Sequence, residues 1–193
     1  MKTKTKVFAL SLCAVLLVAV TVFTTVAFLK SSDSVTNTFT VGKVAITLDE
    51  AKVDEYGATV SGAARVKANT YKLIPGHAYT KDPTVHFAAG SEASWLFVKV
   101  ENGLAAIEAD NAIAAQITAK GWTALDGAAG VYYKSVAANN TSAAIDYSVF
   151  DSFKLTDDAD VSGYTNAEIK VTAYAIQADG FTAAAAAWAE ASK

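Results

Sequence analysis

The chain has 193 residues, 52% of them hydrophobic, with a net charge of −3, which provides for one good core and disfavours nucleic acid or anionic membrane surfaces as partners. Its single cysteine, Cys13, lies inside an apolar N-terminal run, so the rest of the sequence holds no disulfide, thiolate zinc site or cysteine nucleophile.

Lys2, Lys4 and Lys6 precede an uncharged run over residues 7–29. A basic segment followed by an apolar stretch has the form of a secretory signal, and Thr25-Val26-Ala27 offers a small-residue cleavage site after Ala27. The run is also long enough to span a bilayer, so an uncleaved anchor is the alternative, and the only membrane contact expected. Cleavage removes three lysines and leaves a charge of −6. The expected division is residues 1–27 as signal peptide, 28–43 as leader and 44–193 as body.

The leader carries Phe28, Leu29, Val35, Phe39 and Val41. These apolar, strand-competent residues are poorly suited to remain free in water. They need a sheet, either their own or that of another subunit. Val44, Ile46 and Leu48 alternate in the opposite phase to Phe39 and Val41, and Gly42 between them reads as a β-bulge. Residues 49–56 read as an acidic loop and 56–62 as a weak strand.

Residues 71–87 hold both prolines and both histidines. Pro75-Gly76 is a turn signal, with glycine at a positive-φ position. Asp82-Pro83 stops the chain again, and Val85 and Phe87 alternate with Thr84 and His86 as a strand does. The stretch reads as strand, turn, polar link, strand. Residues 94–100 are the clearest strand, apolar on both faces and hence central. Asn102-Gly103 is a turn. An alanine-rich helix capped by Asp110 is predicted to run to Lys120, with Gly121 following its end.

Residues 122–125 and 131–134 read as a hairpin around Asp126-Gly127. Residues 137–144 read as loop, 147–155 as strand, 156–163 as acidic loop and 169–176 as the last strand, ended by Gly180. Residues 182–192 have a short-helix composition. Many strands at short spacing with one or two short peripheral helices predict an all-β sandwich.

Motifs for chemistry are mostly absent. There is no HExxH, GxSxG or GxGxxG. His77 and His86 flank the Pro75-Gly76 and Asp82-Pro83 turns and would face each other across a hairpin, which is the one conceivable metal site; the expectation is solvated edge histidines, with no metal and no cofactor. Asp157, Asp158 and Asp160 lack the spacing of a calcium loop. Asn139 and Asn140 head glycosylation-type sequons. Trp95, Trp122 and Trp188 are expected in cores.

Several pieces in order resemble the camelysin/TasA-like family of secreted proteins of Gram-positive bacteria. They are Thr25-Val26-Ala27-Phe28-Leu29, residues 33–42, residues 71–83, Trp95-Leu96-Phe97-Val98-Lys99-Val100-Glu101-Asn102, and residues 172–181 with Ala187-Trp188. The resemblance implies a jelly-roll β-sandwich and a matrix or surface protein. It further implies biofilm fibres in which one subunit's N-terminal strand completes the next subunit's sheet. Partners would be other copies or related matrix subunits. The family name also carries a metallopeptidase label, which would fall on His77 and His86, but the missing zinc motif leaves that label without residues to perform it.

Overall fold

The computed structural model describes residues 3–7, 11–13, 42–109 and 113–193. The chain divides into two units, Met1–Thr40 and Val41–Lys193. In the first, residues 3–7 and 11–13 are helical. Among the described residues no helix is long and apolar enough to cross a membrane. Ala27 and the leader residues Phe28, Leu29, Val35, Phe39 and Val41 lie outside the described residues, as does Asp110.

The second unit is all-β with two short α-helices. Its strands are β1 (Ile46–Asp49), β2 (Ala78–Thr80), β3 (Thr84–Phe87), β4 (Ser94–Asn102), β5 (Thr123–Ala124), β6 (Val131–Val136), β7 (Ile145–Ser148), β8 (Ser152–Lys154) and β9 (Ile169–Gln177). The helices are α1 (Ile113–Ala119) and α2 (Ala184–Ala191). Three antiparallel sheets result, ordered β1-β3-β7, β2-β8 and β5-β6-β4-β9.

β4 lies between β6 and β9, as its two apolar faces require. Leu96 and Val98 face the main core with Phe87, Trp122, Phe150 and Phe153. Phe97 faces the other way, into a smaller cluster beneath α2 that includes Trp188. Each of these three β4 side chains is fully buried, worth about 1.5–3 kcal/mol apiece. The β5–β6 hairpin forms as expected, and Gly121 follows α1 at φ 79°. The first described N–H of α1, at Ile113, is capped by Glu108 Oε1 (2.6 Å).

Three expectations need correction. Residues 56–62 are not a strand. Asp54 Oδ1 accepts the N–H groups of Tyr56 and Ala58 (both 2.9 Å) and curls the chain into a turn, a local bond that outcompetes a ladder. Residues 71–74 are not a strand either. Tyr79 Oη accepts the Ile74 N–H and donates to the Lys72 carbonyl (both 2.7 Å), replacing a backbone partner with a phenol. Residues 147–155 divide into β7 and β8, with Val149 and Phe150 buried between them. The pairing of β2 with β8 continues in register into that of β3 with β7, so 78–87 and 145–154 form one ribbon. It is interrupted at Pro83, which has no N–H for the ladder.

Pro75-Gly76 does form a turn, with Gly76 at φ 73°. The Gly76 N–H donates to the Thr156 carbonyl (2.8 Å) and ties the turn to the ribbon's far side.

Candidate functional site

A groove of about 870 Å³ opens between β1 and β9. Its origin is a shared corner. The Lys43 carbonyl accepts the Glu92 N–H (2.8 Å), and the Ala93 carbonyl accepts the Ala178 N–H (2.7 Å). The start of β1 and the end of β9 are therefore tied to two adjacent residues. The groove is lined by the other ends of the two strands, Leu48–Glu50 on one side and residues 167–173 on the other, with Phe153 and Leu104 beneath.

The lining is mixed polar and apolar, and the core-facing side chains of the two strands are incompletely covered. Val44, Ile46 and Leu48 of the first wall, and Ile169, Val171, Ala173 and Ala175 of the second, pack on the main core while remaining only partly buried. Backbone parity sharpens this. The Ala88 N–H donates to the Ala45 carbonyl, so residues 45, 47 and 49 turn toward β3, and Ile46 and Leu48 turn outward. The Ala178–Ala93 and Gly103–Glu168 bonds show that even-numbered residues of β9 face β4. Ile169, Val171, Ala173, Ala175 and Gln177 thus turn their N–H and C=O groups away from β4; among the described residues no strand hydrogen-bonds to this edge, although β1 approaches it near the shared corner.

One side of the groove mouth is a polar wall built from the 50–82 excursion. Glu50, expected in an acidic loop, is only 5% exposed. Its carboxylate accepts from Lys81 Nζ (2.6 Å) and Asn69 Nδ2 (3.0 Å). Burial, with the Glu50 carboxylate nearby, pushes the Tyr71 phenol well above its usual range. Lys67 Nζ donates to the Leu48 carbonyl, and Glu50 and Val66 exchange both backbone bonds (2.9 and 2.8 Å).

The two histidines do not meet, because the strands on which they were expected to face each other pair elsewhere. His77 Nε2 contacts the Tyr56 carbonyl (2.8 Å). His86 lies between two carboxylates: Nε2 donates to Asp49 Oδ1 on β1 (2.8 Å) and Nδ1 to Asp146 Oδ1 on β7 (2.6 Å). Ionised carboxylates only accept, so it is the protonated ring that donates through both nitrogens and clasps three strands. Arg65 braces the same Asp49 through Nε (2.5 Å) and reaches Asp82 through Nη1 (2.9 Å). Among the described residues no His, Cys, Asp and Glu group is arranged to hold a metal.

The clasp makes stability depend on pH. Burial works to lower the His86 pKa, but the bonds to Asp49 and Asp146 outweigh it and raise the pKa above 6.5. Its contribution is therefore fully present below about pH 6.5 and is lost as pH rises through the raised value. Burial works to raise the Asp49 pKa, and the bonds from Arg65 and His86 outweigh it and lower the pKa below 3.8. That contribution is present above pH 3.8 and lost as pH falls through the lowered value. Asp146 has a 62% exposed side chain, so water screens its half of the clasp and Asp49 carries more. The parent body is expected to lose about 1–2 kcal/mol between pH 6 and the alkaline side of this titration. His86→Asn is expected to flatten that decline, and urea melts at both pH values check it.

No family model, no curated protein and no solved structure matches this chain. The groove was not legible from local pattern, since its walls come from strands at opposite ends of the body. The one sequence signal was the run of small residues Ala173 and Ala175 on a strand whose other face carries Tyr174 and Ile176.

Proposed function

We propose that this protein is a secreted structural subunit of the camelysin/TasA-like kind, folded as a jelly-roll β-sandwich. It assembles into fibres at the cell surface or in a biofilm matrix and performs no catalysis. The observation that carries this reading is the groove between β1 and β9, where partly exposed core side chains meet strand edges. The leader has the matching chemistry. Over residues 34–41 an extended chain would place Val35, Asn37, Phe39 and Val41 on one face, and Ser34, Thr36, Thr38 and Thr40 on the other. Eight extended residues span about 26 Å, against about 30 Å for the nine of β9. Burying Leu29, Val35, Phe39 and Val41 is worth roughly 6–12 kcal/mol gross, before the ordering entropy of the leader is subtracted.

Donation from one copy to the next is head-to-tail and does not close, so it builds filaments. The peptidase alternative has no observation in its favour, since its two histidines serve different partners. Protein starting at Phe28 is expected to form filaments by electron microscopy. Protein starting at Val44 is expected to stay monomeric and to bind a synthetic peptide of residues 28–41. Filaments formed equally well without the leader would overturn the reading. A monomeric Phe28 protein, its leader folded into its own groove, would overturn it too.

A further inference from the structure

Taking the fibre reading as its basis, we infer that the incoming strand adds to the free edge of β9, and not to β1, β5 or β7. The argument is a comparison of edges. A strand edge accepts a new strand only where its outward backbone groups are unpaired and uncovered. β1 is four residues long, and its outward groups are taken near the end: Lys67 Nζ holds the Leu48 carbonyl, and Val66 pairs with Glu50. β7 is guarded as well. The Val149–Pro83 bond places its odd-numbered residues toward β3, so Ser148 turns outward, and Trp122 Nε1 donates to the Ser148 carbonyl (2.9 Å). β5 has two residues, too few to template a strand.

β9 differs on every count. It has nine residues and is the outer strand of its sheet, and Ile169, Val171 and Ala173 point their backbone groups into the groove, while β1 approaches the Ala175–Gln177 end. No described side chain caps those groups, and Val171 and Ala173 line the groove. The small Ala173 leaves room on the core side for a larger side chain from the incoming strand. The occupant is residues 34–41 of a second copy, whose Val35, Phe39 and Val41 face would lie over Ala173, with Asn37 among them, while its hydroxyl face turns away. The product is a five-stranded sheet, with the leader as its new outer strand.

Parity supplies the test. Proline at 173 removes an N–H that bonds nothing within the described domain, a placement that edge strands tolerate. In protein starting at Phe28, Ala173→Pro is expected to abolish filaments while the circular dichroism spectrum stays that of the parent. A second measurement needs no variant. Adding the 28–41 peptide to protein starting at Val44 is expected to slow hydrogen exchange at Ile169, Val171 and Ala173 by more than about tenfold, with no change at Ile46 and Leu48. Protection at Ile46 and Leu48 in place of β9, or parental filament yield from Ala173→Pro, would overturn the β9 assignment. If the Val44 protein stays monomeric in those experiments, strand donation stands and only the edge is wrong. If it forms filaments, the fibre reading itself has failed.

Discussion

Replacing Asn139 by alanine is expected to destabilise the body by about 3–5 kcal/mol, although the residue lies in a loop of small polar residues. Asn139 is 0% exposed. Its amide uses all its capacity: Nδ2 donates to the carbonyls of Phe87 (3.0 Å) and Ala143 (2.9 Å), and Oδ1 accepts from the N–H (3.1 Å) and hydroxyl (2.7 Å) of Thr141. Its backbone donates to Ser91 and accepts from Gly90 (both 2.8 Å). The side chain thereby joins the end of β3 to the 137–144 loop, and the backbone joins that loop to the turn before β4. Alanine removes four bonds at about 1 kcal/mol each and leaves buried carbonyls without donors. Asn139→Asp is expected to be at least as harmful, because a carboxylate cannot donate to two carbonyls. Urea unfolding checks both. A loss under about 1 kcal/mol for the alanine variant would show that the loop is held by other means.

Asn139 also shows which parts of the molecule local sequence could reveal. It lies in a stretch that read only as loop, and its burial depends on Phe87 and Ser91, about fifty positions away. Where the determinant was periodicity, the reading was sound. β4 and β9 carry apolar residues on both faces and pack both ways, and the β5–β6 hairpin and α2 follow from turn residues and composition. Gly76 and Gly121 have the positive φ that their turns demand. Where a side chain substitutes for a backbone partner, periodicity was blind. Tyr79 Oη satisfies residues 72 and 74 in place of a strand, and Asp54 turns residues 56–58 away from one. The groove is the extreme case. Leu48 and Val171 are apolar residues of ordinary strands, and only the course of β1 and β9 from a common corner leaves them half covered.

Lys81→Met is expected to cost about 3–5 kcal/mol, and the companion change Glu50→Gln is expected to recover much of it. The ammonium and carboxylate are 2.6 Å apart, with side chains 11% and 6% exposed, so water screens them little. Methionine keeps the length and most of the apolar stem of lysine but strands the Glu50 charge with Asn69 Nδ2 as its one remaining side-chain donor. An isolated buried charge is costly because its lost hydration is no longer offset. Glutamine at 50 removes that charge while keeping an acceptor for Asn69, so the double variant exchanges an ion pair for a neutral wall of similar volume. If the pair itself were the main source of stability, the double variant would be as weak as Lys81→Met alone. Because Glu50, Asn69 and Lys81 all line the groove opposite β9, the same variants carry a functional readout. The single variant loosens the polar wall and is expected to weaken binding of the 28–41 peptide to protein starting at Val44. The double variant, with the wall repacked and the β9 edge untouched, is expected to bind it as the parent does. Equal weakening in both would mean that the charge of this wall takes part in holding the incoming strand.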